Sequence, residues 1–262
     1  METTQRKKGV SGSTLKIIAI TAMLIDHIGA GLLGRLLWAN GYGVLMTTTD
    51  IQAIMSWLQE NAALYYGYSA MRMIGRVAFP IFCFQLVEGF QKTRDVKKYA
   101  LRLGAFALIS EVPFDLTFKA QLFDLSYQNV FFTLFFGLLT MIVVDKLTKT
   151  QLPKAGKIVL SGVAIVAGAV IAELLNTDYG AIGVVCIMAL FVFKYSKVAQ
   201  IVAGCIAFCW EITAPLAFIP IGFYNGERGL KLKYFFYAFY PLHLLAIYAV
   251  CWFMGIAGYT AL

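Results

Sequence analysis

Asp26 and His27 stand side by side in AMLIDHIGAG (22–31), near the middle of an apolar run from residue 15 to residue 37. A charged side chain at mid-bilayer depth is costly, so such residues face a protein interior or a wet cavity and often carry function. An imidazole there can take and return a proton near neutral pH. A His–Asp pair that glues helices together is the structural alternative. Eleven residues before His27 lies Lys16. Eleven residues make close to three helical turns, so the two side chains share nearly one face, roughly 16 Å apart along the axis. Asp26 is about 100° round the helix from His27 and need not touch it.

Other apolar runs also carry ionisable groups. MRMIGRVAFPIFCFQLVEGF (71–90) holds Arg72 and the deeper Arg76, which wants a carboxylate partner, and Pro80 predicts a kink. RLGAFALISEVPFDLTF (102–118) sets Glu111 and Asp115 four residues apart on one helical face. Asn129 opens the next run, Asp178 and Tyr179 open another, and Tyr240 precedes His243 in the last. Glu111, Asp115, Glu173 and Asp178 fall in the outer half of their runs, where some are expected to pair with Arg76, Arg72 or Arg35. All five cysteines lie inside apolar runs, which implies no disulfide framework. Cys205 and Cys209 are four apart without further ligands nearby, so no metal site is expected. Serine-elbow, Walker, zincin and dinucleotide-binding motifs are missing.

The elements that must hold these residues are membrane helices. The 262 residues are 60% apolar and 14% charged, with a mean hydropathy of +0.74. Ordinary soluble domains carry about 25% charged residues, so too little polar material is present to coat a soluble fold. Runs near the ~20-residue spanning length fall at about 15–37, 71–91, 99–119, 128–147, 156–175, 178–195 and 234–256. The run 198–224 is long for one span and short for two, with Glu211 and Pro215 near its middle. Lys and Arg cluster in the N-terminal segment, 92–102, 146–157, 194–197 and 228–233, which hold 18 of the 22, whereas 38–70 has none. The bias of Lys and Arg toward the cytosol is satisfied if the N-terminus is cytosolic and 198–224 is a short broken hairpin. The expected fold is therefore an all-α polytopic helical bundle with about nine membrane segments. A basic cytosolic tail, 1–13, precedes one transmembrane domain, 14–262. Membrane lipid is an expected partner and nucleic acid is not, since no basic–aromatic strip is present.

LKIIAITAMLIDHIG, GRVAFPIFCFQLVEGF, RLGAFALISEVPFD, DYGAIGV, YNGERG and FYPLHLL together resemble the TraX family, in order, from about residue 14 to about 250. That family is named for a plasmid conjugation protein that acetylates the N-terminus of pilin. It resembles in turn the integral-membrane acyltransferases that modify cell-surface sugars. Those carry an arginine, ten residues and a catalytic histidine on their first helix. Lys16 and His27 keep that spacing, with a lysine that retains the charge and loses the bidentate fork. The resemblance thus implies a multi-pass enzyme of the inner (cell) membrane that moves an acetyl group from cytosolic acetyl-CoA to an amine or hydroxyl acceptor. A pilin-like peptide N-terminus and a surface glycan are the acceptor classes.

The charge pattern agrees with that implication. His27 would act as general base or hold the acyl group transiently, and Asp26 would steer its tautomer and orientation, directly or through water. Lys16, Lys92, Arg94, Lys97, Lys98 and Arg102 would rim an inner mouth for the phosphates of acyl-CoA. Arg76, Glu111, Asp115, Asn129, Asp178, Tyr179, Tyr240 and His243 are the candidates for binding the acceptor. The alternatives are a transporter or channel with an ionisable path at the midplane, which would bring internal repeats where none is visible, and a non-catalytic assembly or immunity factor.

Overall fold

The computed structural model describes residues 8–231 and 233–260. Residues 1–7 of the expected basic tail, Arg6 and Lys7 among them, lie outside the described residues. The described residues form helices and no strand; two isolated bridges, Val10 with Tyr224 and Gln128 with Thr177, are the exceptions to helix and loop.

The first run forms α1 (Gly12–His27), one π-helical stretch (Ile28–Leu33) and α2 (Gly34–Ala39). A short α3 (Tyr42–Leu45) leads to α4 (Ile51–Gly75), α5 (Ala78–Lys92), α6 (Val96–Lys119) and α7 (Val130–Thr148). Then follow α8 (Lys154–Leu174), α9 (Gly180–Val192), α10 (Lys197–Ala207), a 3-10 turn (Ala214–Ala217), α11 (Phe218–Gly222) and α12 (Lys233–Phe253). Local chemistry sets several starts. Ser11, Asp50, Asp95, Asn129 and Ser196 each accept a hydrogen bond from a backbone N–H of the first turn they precede, which satisfies a donor the helix cannot. The Lys98 amide holds the Asp95 carboxyl below its ordinary range in doing so.

Among the described residues five helical stretches are long and apolar enough to cross a membrane: Gly12–Ala39, Ile51–Lys92, Val130–Thr148, Lys154–Leu174 and Phe235–Phe253. The outward face of α8 is apolar along its length, with Ile158, Val159, Val163, Val166 and Val170 exposed, as suits contact with hydrocarbon. The α6 helix is as long but carries Lys97, Lys98, Arg102, Glu111, Asp115 and Lys119. The remaining expected segments are the short α9 and α10.

One detail differs from expectation: the stretch 38–70, expected as a connection, contains most of α4. The break expected from Pro80 falls at Arg76–Val77, between α4 and α5. Pro80 is the third residue of α5, and the carbonyl that loses its donor is that of Arg76, four residues back.

Among the described residues three core clusters hold the bundle, the smallest of them around Ile247, Cys251 and Ile256. One joins α5, α7 and α9 to α10 and α11 through Ile81, Leu138, Ile187, Leu190 and Phe218. Another joins α1, α6 and α12 through Met23, Phe114, Phe118, Tyr240 and Leu244. One end of the bundle is defined by polar contacts. The Val10 N–H donates to the Phe223 carbonyl, and the Gly12 N–H donates to the Glu227 carbonyl. Lys92 Nζ reaches the Tyr224 hydroxyl, and Lys197 Nζ reaches the Tyr224 carbonyl. The starts of α1 and α10 thus meet the ends of α5 and α11. The chain from 197 to 224 goes in and returns to this basic end.

Candidate functional site

His27 is the last residue of α1 and is followed at once by the π-helical stretch, a geometry often found at functional sites. Two glycines in that stretch permit close approach. A Cβ at Gly31 would press on Ile247 and Thr117, and one at Gly29 on Met71. The helix carrying His27 is therefore drawn against α12, α6 and α4. Across this contact His27 Nδ1 lies 2.7 Å from His243 Nε2, with the two rings within 6° of parallel. Phe118 and Tyr240 meet the His27 ring edge to face, and Phe239 stacks on His243. Thr117 Oγ1 ties α6 to α12 by donating to the Leu244 carbonyl at 2.9 Å.

Asp26 points elsewhere. Its Oδ2 accepts from Arg72 Nη1 at 2.6 Å, and its Oδ1 is 3.6 Å from Arg76 Nη2. Arg76 also reaches Glu211 at 3.2 Å. Two guanidiniums and two carboxylates from α1, α4, the α4–α5 break and the α10–3-10 turn thus compensate one another. Gly75 is part of the arrangement, since a Cβ there would overlap the Asp26 side chain.

These residues line a cavity of about 550 Å³, at the helix ends opposite the basic one. Its lining takes in His27, the Asp26–Arg72–Arg76–Glu211 network, the apolar Phe79, Phe82, Phe114 and Phe118, and Tyr127, Glu173, Asp178, Tyr179 and Trp210. Tyr179 stacks on Phe79 with ring centroids 3.6 Å apart. The Tyr127 hydroxyl donates to Asp178 Oδ1 at 2.7 Å. Four carboxyl side chains, Asp26, Glu173, Asp178 and Glu211, thus line this cavity with two guanidiniums, Arg72 and Arg76.

A second cavity of about 200 Å³ lies toward the basic end, lined by Ser13, Lys16, Gln85, Tyr99, Arg228, Tyr237 and Tyr240 with apolar residues between. Lys16 Nζ sits 5.5 Å from the centre of the Phe236 ring. No carboxylate among the described residues lies within ion-pair distance of it. Met23, Phe82 and Val130 line both cavities. They form an apolar septum between the Lys16 side and the His27 side.

The structure distributes the sequence candidates unevenly. His27, Asp26, Arg76, Asp178 and Tyr179 line the larger cavity, and Lys16 and Tyr240 line the smaller one. His243 is the hydrogen-bond partner of His27. Asp26, expected to steer His27, is held by Arg72 instead. Glu111 and Asp115 line neither cavity and pair with no arginine. Glu111 accepts from the backbone N–H of Asn129 at 2.9 Å and from its side-chain amide, and Asp115 Oδ2 accepts from the Asp124 N–H. Asn129 itself caps α7 and is fully buried. Arg35 is fully buried against the carbonyls of Tyr259 and Leu116 rather than a carboxylate.

Of the expected basic rim, Lys92, Arg94, Lys97, Lys98 and Arg102 are exposed and line neither cavity. Lys92 is engaged by Glu88 and Lys98 by Asp95. Sequence reasoning did not assign Arg72, Tyr127, Glu173, Trp210, Glu211 or Arg228 to a site. Glu211 had a signal, a lone acid within an apolar run. Tyr127, a loop tyrosine, had none.

Over 264 aligned positions the chain is 28% identical to the probable fimbrial assembly protein FimC, serogroup H1, of Dichelobacter nodosus, covering 89% of this chain and 93% of that relative. No solved structure matches the chain. Residues 11–251 match the TraX protein family, a match that takes in both cavities and every helix from α1 to most of α12. The chain belongs to the TraX family.

Proposed function

We propose that the protein is a membrane acetyltransferase that takes acetyl-CoA at the basic end and acylates an acceptor amine or hydroxyl in the larger cavity. The observation that carries this reading is the pair of cavities meeting at Met23, Phe82 and Val130. One holds Lys16, with no carboxylate partner among the described residues, beside Arg228, and such cations suit a polyanionic donor. The other holds His27. In this reading about nine segments cross or enter the inner membrane, the N-terminus and basic end are cytosolic, and lipid surrounds the bundle. The acetyl thioester reaches past the septum toward His27. His27 takes a proton from the acceptor, whose nitrogen or oxygen attacks the acetyl carbonyl carbon. The C–S bond breaks, and the CoA thiolate leaves and receives the proton from His27. Thioester plus acceptor gives acetylated acceptor plus CoA thiol. The excess of carboxyl groups over guanidiniums around the larger cavity favours an amine over a neutral hydroxyl. A peptide N-terminus also suits the relative's printed role in fimbrial assembly.

The test is release of CoA thiol from acetyl-CoA by the purified protein in nanodiscs. The acceptor probe is a short synthetic peptide with a free α-amine, and the same peptide with a blocked amine is the control. Thiol release coupled to acetylation of the free amine is expected. Neither thiol release nor acetyl-CoA binding would overturn the reading and leave an ionisable transport path as the explanation of the cavities.

A further inference from the structure

His27 and His243 are the only histidines in the chain, and they meet at 2.7 Å although 216 residues separate them. His243 Nδ1 in turn lies 2.7 Å from the Phe239 carbonyl oxygen, one turn earlier on α12. A carbonyl oxygen only accepts, so Nδ1 of His243 carries a hydrogen. A neutral imidazole has one ring N–H, so His243 Nε2 is an acceptor. His27 Nδ1 must then be the donor, because two lone pairs cannot face each other at that distance. The same count leaves Nε2 of a neutral His27 bare. That nitrogen has no hydrogen-bond partner among the described residues and is not closed off from solvent, and His27 lines the larger cavity.

We propose that His243 is a positioning residue: the Phe239 carbonyl fixes its tautomer, and through it the tautomer of His27, so that the unprotonated Nε2 faces the acceptor. This rests on the acetyltransferase reading for its purpose and on the ring geometry alone for its direction. The relay runs one way because a backbone carbonyl cannot give up a proton and cannot flip. When His27 Nε2 receives the acceptor's proton, the imidazolium donates through Nδ1 to the His243 lone pair, which spreads the new charge over two rings. This is the service a carboxylate renders in a serine-hydrolase triad, supplied here without placing a second formal charge in the membrane interior. The neighbouring aromatics restrain both rings, and the Gly31 approach sets the distance between their helices. Asp26, committed to Arg72, is free of that task.

With two histidines, the test is direct. The full-length protein, labelled with ring-15N histidine and carrying a histidine-free tag, is measured by NMR in nanodiscs. Both rings should show a protonated Nδ1 and an unprotonated Nε2. In His243→Leu the His27 ring should lose its single tautomer, and in His243→Gln, whose amide oxygen also accepts, it should keep it. In the acetyl-CoA and peptide assay, His243→Leu should lower kcat by about 100-fold or more with KM little changed, and His243→Gln should recover to within about 10-fold, the scale of general acid–base effects. A native His27 protonated at Nε2, or a tautomer indifferent to His243→Leu, would overturn the relay; that spectrum on native protein needs no variant to fold. The predicted tautomers in a native protein that transfers no acetyl group would instead overturn the acetyltransferase reading, and with it the catalytic purpose of the relay.

Discussion

Arg72 donates to Asp26 at 2.6 Å across the α4–α1 contact, and Gly75, one turn later on α4, is small enough to let that contact close. The consequence is a division of labour between adjacent residues. Asp26 holds a second helix, and His27 faces the cavity with a different partner. Both side chains of the pair are less than a quarter exposed, so breaking it leaves a charge in a poorly solvated place.

Asp26→Asn should therefore act first on stability. The expected loss lies between about 1 and about 3 kcal/mol, above a surface pair and below a fully buried one. A cycle with Arg72→Met checks it by thermal unfolding: the double variant should lose less than the sum of the two single changes. Strict additivity would show that the pair contributes nothing.

His27→Ala should abolish acetyl transfer while leaving the protein folded and able to bind acetyl-CoA. Its ring lines the larger cavity rather than the Lys16 pocket. Calorimetric binding of acetyl-CoA and the thiol-release assay, run on one preparation, separate the two effects. Near-native transfer by a well-folded variant would remove His27 from the chemistry.

Donor affinity should depend on the cations of the smaller cavity and not on the outlying rim. Lys16→Ala and Arg228→Ala should each weaken acetyl-CoA binding by about 5- to 30-fold, from one charge-assisted contact of roughly 1–2 kcal/mol. Lys97→Ala with Lys98→Ala should change it by less than about 3-fold, since exposed, screened charges contribute little. A reversed order would relocate the donor to the 92–102 surface.

Glu111→Ala should destabilise the bundle by about 1–3 kcal/mol, because it strands the buried Asn129 amide donors. The acceptor KM should stay unchanged in the fraction that remains folded. A selective rise in that KM would return Glu111 to the acceptor site.

Much of this protein is written locally. The apolar runs, the capping residues Ser11, Asp50, Asp95 and Ser196, and the gathering of Lys and Arg into a few segments are properties of short stretches. So is the eleven-residue spacing that puts Lys16 in one cavity and His27 in the next. Helical periodicity and chain reach determine them without knowledge of any neighbour. The partners of the buried charges were not legible. Arg76 needed a carboxylate, and four acids were in plausible reach by depth. The bundle chose Glu211 and Asp26, while Glu111 went to Asn129 and Arg35 to backbone carbonyls. His27 met His243 from the far end of the chain rather than Asp26 beside it. In hydrocarbon the solvent is as apolar as the helix interior, so side-by-side order is left to packing and small residues rather than to a polar outer face. Only the close approaches at Gly29, Gly31 and Gly75, realised when the helices pack, decide which ionisable groups come within reach of one another.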